Sequence, residues 1–381
     1  MENKKKHILI LPKWYPNQND VQLGIFIQNQ AILLSSHYQI TVLFVMGLED
    51  CPEPYVTKIS KDKGINEISV FFRKKTGITR FTNLAKYRKA QNIGHNLISD
   101  PIDAVHIQVP IRPAMLARRL LSKEKIPYIV TEHWSGHLNG QFENKSFIYK
   151  YFYKKIINGA SEVTVVSQSL KKQIDKRFNK NVRVVPNYIC SVSVPVQKKE
   201  HSTTQVITVC DFNNKTKNII GLLQAFRSVI MFDKPVHLTI IGSGPDQSLI
   251  EDYIKKNELT NHVTLLGRLE QKEVHELLPS FHFYICNSNV ETFGMTVAEA
   301  ILSGLPVICT KCGGPEQFVN HQNGILIPVN DSIALKNAMQ EMILNYRNFN
   351  SESNQNAIKT QFGQTAIVNK WKAIYESTVY E

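Results

Sequence analysis

The chain has 381 residues, 43% hydrophobic and 20% charged, the make-up of a globular protein with room for two domains and two cores. No apolar run approaches a membrane span. Met1-Glu2-Asn3-Lys4-Lys5-Lys6-His7 leads into an apolar stretch too short for a signal-peptide core, so the sequence reads as cytoplasmic.

In chain order, β-branched runs predict strands at 7–11, 40–45, 104–108, 128–131, 162–167 and 182–186, with helices over 25–35, 112–122 and 147–158 between them. Near-continuous apolar strands alternating with helices predict a parallel sheet covered on both faces. The stretch 79–97 has helical spacing, with Phe81, Leu84, Tyr87 and Ile93 apolar. It lies among Arg73-Lys74-Lys75, Arg80, Lys86, Arg88, Lys89, Arg118-Arg119 and Lys171-Lys172, which supply much of the formal net charge of +13. Such a helix fits an anionic membrane surface or a solvated face equally. No nucleic-acid-binding motif accompanies it, so nucleic acid is not expected as a partner.

Residues 191–205 collapse into Ser, Val, Pro, Gln, Lys, Glu, His and Thr, the best linker in the chain. The expected division is 1–190, the linker 191–205 and 206–364, with a tryptophan-bearing helix at 365–381 packing back on the first domain. Alternation restarts with strands at 206–210, 236–241, 263–266, 281–286, 306–310 and 324–327, and helices over 217–231, 246–257, 272–278, 296–303 and 332–346. Two α/β halves joined by one linker imply a cleft at the strand ends, where open parallel sheets bind ligands.

The most informative segment runs from Glu291 to Ile308. Gly294, Met295 and Thr296 place free backbone N–H groups where a helix starts, flanked by Glu291 and Glu299. Held phosphates between two carboxylates suggest a nucleotide-sugar site; a capped surface helix is the plain alternative. Ile241-Gly242-Ser243-Gly244-Pro245 is either a second anion-binding turn or a tight strand-to-helix turn. Leu266-Gly267-Arg268 follows the next strand, at a sheet edge where a base could rest. Lys217, and equally Lys215, could reach a diphosphate or be solvated. In the first half, Gly24 ends a long loop before a helix. His133 could bind a sugar hydroxyl or hold structure, and Trp134 could stack on a ring. Cys312-Gly313-Gly314-Pro315-Glu316 is a further glycine loop. Cys309 and Cys312 form a C-x-x-C, for which strand-end packing is expected rather than redox or metal chemistry. No Asp-x-Asp pair follows a strand, so no metal cofactor is expected.

Taken together these residues resemble the retaining glycosyltransferases of family 4 (GT4), which have the GT-B fold. Glu291 and Glu299 fit the family's E-x7-E motif within a run of E-x-F-G, E-A, S-G-x-P-V and G-G. The turn at 242–244, Leu-Gly-Arg at 266–268, Gly24, Val185-Pro186-Asn187 and the terminal tryptophan helix fit as well. The resemblance implies α/β architecture, two Rossmann-like domains with parallel sheets facing an interdomain cleft. It implies a cytoplasmic hexosyltransferase, at the inner membrane face in many such enzymes, using a nucleoside-diphosphate sugar and a glycan or lipid-linked acceptor in cell-surface polysaccharide synthesis. Carried over, Glu299 would bind the donor ribose and Glu291 the transferred sugar. The backbone at Phe293, Gly294 and Met295 would hold diphosphate with Lys217, assisted by Lys215 and Arg268. Gly242, Gly244 and Gly267 would line the donor site, Gly24 the loop over the phosphates, and His133 the acceptor side. One departure is Asp211, where the family often has arginine. Rival readings are another GT-B nucleotide-sugar enzyme, an epimerase or phosphorylase, and a non-catalytic nucleotide-binding or nucleic-acid-binding module.

Overall fold

A computed structural model describes residues 5–190, 202–230, 232, 235–349 and 351–379. Most of the expected linker, 191–201, and the end of the helix expected at 217–231 lie outside the described residues. Two compact units form: the chain up to Val166 with Leu170–Tyr188 and the residues from Ile367 on, and Ile189–Ala366 with the short piece Ser167–Ser169.

The first unit contains strands β1 His7–Pro12, β2 Gln39–Leu48, β3 Tyr55–Ser60, β4 Asn66–Arg73, β5 Ala104–Gln108, β6 Tyr128–Glu132, β7 Glu162–Val165 and β8 Arg183–Val184. Its helices are α1 Ile25–Ser35, α2 Asn83–His95, α3 Ala114–Glu124, α4 Phe147–Asn158 and α5 Gln168–Phe178. The sheet order is β3-β4-β2-β1-β5-β6-β7-β8, parallel except for β3, which is antiparallel to β4. The parallel sheet expected from the apolar runs forms, with one antiparallel strand at its edge. β3 was hidden because four of its six residues face water. β1 and β5 are buried along their whole length, as strands covered on both faces must be.

The second unit contains α6 Asn214–Lys217, α7 Ile219–Arg227, α8 Gln247–Lys256, α9 Gln271–Leu277, α10 Met295–Leu302, α11 Ser332–Asn345, α12 Ser351–Phe362 and the start of α13 Gln364–Val379. Its strands are β9 Thr204–Val209, β10 Val236–Ile241, β11 Val263–Gly267, β12 Phe283–Cys286, β13 Val307–Thr310 and β14 Gly324–Ile327. All are parallel, in the order β11-β10-β9-β12-β13-β14. Counted from β9 this is 3-2-1-4-5-6, the doubly wound order, whose direction reverses between β9 and β12. The corresponding reversal in the first unit falls between β1 and β5.

From Ile367 onward α13 belongs to the first unit, where Ile367, Trp371, Ile374 and Tyr375 are buried in the same core as Ile8, Ile27 and Phe44. Among the described residues no helix is long and apolar enough to cross a membrane.

Candidate functional site

The loops leaving β9 and β12 meet at the reversal of the second sheet. Asn213 caps α6 by accepting from the Thr216 N–H at 3.2 Å, and Asp246 accepts from the Asn214 N–H at 2.7 Å. The chain then turns at Asn218, whose φ of 49° is left-handed, so the helix expected from Lys217 starts at Ile219 instead. Lys217 thus ends a single turn. Asn289 donates its N–H to the Thr216 carbonyl at 2.7 Å, and Asn287 donates to the Asn218 carbonyl at 3.0 Å, zipping the two loops together.

This places Lys217 Nζ 2.6 Å from Glu291 Oε1, with the Ser288 hydroxyl donating to the same oxygen at 2.7 Å. Both charged side chains are mostly buried. Burial acts to lower the Lys217 pKa, but the Glu291 carboxylate, helped by Cys210, outweighs it and holds the ammonium above its usual range. Glu291 is fixed along its backbone too: its N–H donates to Cys312 and its carbonyl accepts from Gly314, each at 2.8 Å. Three residues on, Gly294 caps α10 at φ 88°, and no side chain caps the N–H groups that follow. A Cβ at Gly294 would meet Pro315 Cγ at 2.6 Å, so the two glycine loops pack closely. The Phe293 ring is buried against Phe318 and Phe362.

Glu299 lies buried in α10, where its Oε1 accepts from Gln271 at 2.7 Å and stands 3.3 Å from His275 Nε2. Gly242 and Gly244 form a tight strand-to-helix turn, one of the two readings the sequence left open. A Cβ at Gly242 would fall 1.9 Å from the Cys210 carbonyl oxygen and one at Gly244 2.7 Å from that of Phe212. Their freedom is used against the protein's own backbone. Gly267 is different: at φ 72° it has open space where a side chain would lie, and Arg268 beyond it is exposed. Lys215 and Asp211 are also exposed. Cys286, Cys309 and Cys312 bring their sulfur atoms within 4.8 Å of one another in the core.

In the first unit, Gly24 is at φ 67° with the Trp14 carbonyl oxygen 2.4 Å from the position of a Cβ, so its left-handed turn packs against the start of the loop that it ends. His133 follows β6; its Nε2 is 2.6 Å from Gln108 Oε1, and Gln108 in turn contacts His106 at 3.2 Å. His106 also bonds Thr131 at 2.6 Å and the Tyr375 hydroxyl at 2.7 Å. Glu132, fully buried, accepts from the His133 and Trp134 N–H groups at 2.8 and 2.7 Å and from Tyr153. Burial acts to raise its pKa, but bonds from His137, Tyr153 and Trp134 outweigh it and leave the carboxyl below its usual range. Beside these residues a cavity of about 570 Å³ at the ends of β1 and β5 is lined by Trp14, Trp134, Lys13, Arg112 and Lys145.

The profile of the family described as glycosyl transferases group 1 matches residues 194–360, and that of glycosyltransferase family 4 matches 31–190. The chain belongs to the family 4 glycosyltransferases. An uncharacterized glycosyltransferase of Methanocaldococcus jannaschii is 28% identical over 270 residues, 70% of this chain and 73% of its own. The N-acetyl-alpha-D-glucosaminyl L-malate synthase of Bacillus anthracis is 24% identical over 330 residues, 82% of this chain and 82% of its own. Among solved structures, Anabaena HepE in complex with UDP and glucose superposes with a TM-score of 0.74 at 15% identity, covering 98% of this chain and 100% of its own. The fold is GT-B.

In this glycosyltransferase the structure brings Lys217, Glu291, Phe293, Gly294 and Met295 to one sheet reversal, with Glu299 further along α10. His133 and Gly24 belong to the other unit. Sequence reasoning missed Ser288, Gln271, His275 and Glu132. The Ser288–Glu291 contact and the bonds of Glu132 to the His133 and Trp134 N–H groups are local; those of Gln271 and His275 to Glu299 and of Tyr153 to Glu132 join separate elements. Burial lowers the pKa of His133 to about 4, partly opposed by Glu132, and that of His106 to about 3, with His133 adding to the effect. Both rings sit below the unfolded value of about 6.5, so the unfolded chain takes up protons first. Stability is therefore full above about pH 6.5 and falls as pH drops toward 4, by up to about 1.4 kcal/mol per pH unit for each ring. Urea unfolding of the first unit across that window should show this slope, and His106→Gln should flatten it. Stability independent of pH would refute the neutral buried pair.

Proposed function

We propose that this glycosyltransferase moves a hexosyl group, with retention, from a nucleoside-diphosphate sugar to a hydroxyl of a glycan or lipid-linked saccharide in cell-surface polysaccharide synthesis. The observation that carries the reading is the Lys217–Glu291 pair at the sheet reversal, next to the uncapped start of α10. Diphosphate is an anion that such N–H groups bind, and Lys217 adds a charge that can follow the leaving group. Glu291 is already held by Lys217 and Ser288, which suits it to orient sugar hydroxyls rather than attack carbon. Glu299, oriented by Gln271, takes the ribose hydroxyls. Lys215 and Arg268 assist at the phosphates, where Asp211 supplies no cation. HepE, with its bound UDP and glucose, supports the donor class.

In this reading the donor phosphate oxygen takes the acceptor proton on the face the leaving group vacates. No protein nucleophile and no metal is needed. His133, neutral at ordinary pH, serves the acceptor side as a hydrogen-bonding group. The protein works at the cytoplasmic face of an anionic membrane. Support comes from Ile78 and Phe81, 92% and 73% exposed just before the basic α2, and from Phe147, 82% exposed at the start of α4.

Nuclear magnetic resonance of the product tests the reading: an α-configured donor should give an α-linked product. An inverted linkage would remove retention. A free epimer without acceptor, or a strict requirement for phosphate, would make the protein an epimerase or phosphorylase instead. Adding a chelator should leave the rate unchanged; loss of activity restored by a divalent cation would contradict the metal-free account.

A further inference from the structure

Two cavities of the first unit meet at Arg112. The basin at the ends of β1 and β5 is walled by Trp14 and Trp134 and carries Lys13 and Lys145. The second cavity, also about 570 Å³, is a groove among α2, α3 and α4 whose walls include Leu84, Met115, Leu116, Ile148 and Phe152. Ile111, Arg112 and Tyr149 line both. Each volume is ordinary for a small-molecule site.

The two differ in chemistry. In the basin, Lys13 Nζ lies 5.2 Å from the Trp14 ring centroid and 5.9 Å from that of Trp134, while Lys145 Nζ lies 5.3 Å from Trp134. Among the described residues neither lysine nor Arg112 is within ion-pair distance of a carboxylate. Three cations crowded beside two indole faces lack an anion. Burial, and beyond it the Arg112 and Lys145 charges, hold Lys13 below its usual pKa despite Glu132. An anion at that place relieves the crowding, and the indole faces offer a platform for a sugar ring. The groove also has Arg88, Arg118 and Arg119 among its lining residues, but most of its surface is apolar. It needs an apolar occupant, and its rim residues Ile148 and Phe152 remain 67% and 47% exposed without one.

We propose that the acceptor is a saccharide joined through phosphate or diphosphate to a single lipid chain, the chain lying in the groove, the phosphate at Arg112 and the first sugar against Trp134. This rests on the transferase reading and narrows its acceptor to one class. The joint explains why cations and apolar walls converge on one side chain. A glycan alone would leave the groove empty, and a free lipid would leave the cations unmatched.

The test titrates the purified full chain with farnesyl diphosphate, farnesol and inorganic diphosphate. Farnesyl diphosphate should bind at least about tenfold more tightly than either half-ligand, since burial of several methylenes adds to charge pairing. Met115→Glu and Phe152→Glu should each reduce it to the level of inorganic diphosphate. Arg112→Gln should reduce it to the level of farnesol. All three variants should keep the thermal shift produced by the nucleotide sugar, which shows that they fold. The proposal is overturned if inorganic diphosphate binds as well as farnesyl diphosphate, if farnesol does, or if both groove variants bind like the parent. Failure of the transferase reading is distinct: it appears as no response to any nucleotide sugar.

Discussion

Lys217→Ala is expected to lower the rate of sugar transfer by about 10²–10³-fold while leaving the protein folded. The ammonium lies 2.6 Å from Glu291 and belongs to the loop that the β12 side locks in place. In the proposed reading the leaving diphosphate develops charge beside the α10 start, where Lys217 is held in place by Glu291. Lys215 and Arg268 are exposed. Removing Lys217 leaves Glu291 half compensated by Ser288, so a loss of about 1–2 kcal/mol of stability is expected rather than the larger cost of stranding a fully buried charge. Glu291→Ala should abolish transfer comparably. The double variant should be little worse than either single one, because the pair acts as a unit. Full activity in either variant, measured with donor and acceptor saturating, would remove that residue from the site.

Trp371→Ala should cost the first unit about 3–5 kcal/mol. The indole is wholly buried, 4.6 Å from the His106 ring centroid and 5.5 Å from that of Tyr375. Its Nε1 has no hydrogen-bond partner among the described residues, so the loss is one of packing and not of a bond. The side chain sits where α13 enters the core shared by β1, β2 and α1, and truncation leaves a cavity that those strands cannot close. Urea unfolding should show the transition of the first unit moving to lower denaturant, with donor binding by the second unit kept. Trp371→Phe should recover part of the loss. A midpoint within experimental error of the parent would mean that α13 is not integral to that core.

Much of this architecture is visible in the sequence because parallel strands covered on both faces must be apolar throughout. The runs that form β5, β10 and β14 are placed to the residue. β4, half buried with an apolar run, escapes notice, but most of the other missed elements gain their stability from partners elsewhere. β3 presents Lys58 and Ser60 to water and gains its place only by pairing with β4. α5 carries Lys171, Lys172, Lys176 and Arg177 and buries only Leu170, Ile174 and Phe178, so its apolar stripe is narrow. α12 is built of polar residues around Ile358 and Phe362.

The candidate site divides in the same way. Glu291, Gly294 and Glu299 can be read from spacing along one strand-to-helix turn. The Lys217–Glu291 contact cannot, since it joins residues 74 positions apart through the strand order. Gln271 reaches Glu299 from another helix for the same reason. Gly242 and Gly244 are ambiguous in the sequence: a glycine pair at a strand end signals close approach, and the structure shows the backbone of Cys210 and Phe212 approaching. Asp211 stays the clearest departure from the family pattern, exposed beside the loop that carries Lys217.

The most direct test of the donor site is a thermal-shift screen of the purified chain against UDP-, GDP- and ADP-sugars. One nucleotide class should raise the melting temperature of the second unit, and Lys217→Ala should abolish most of that rise. No response to any of the three, or a response unchanged by Lys217→Ala, would contradict the account.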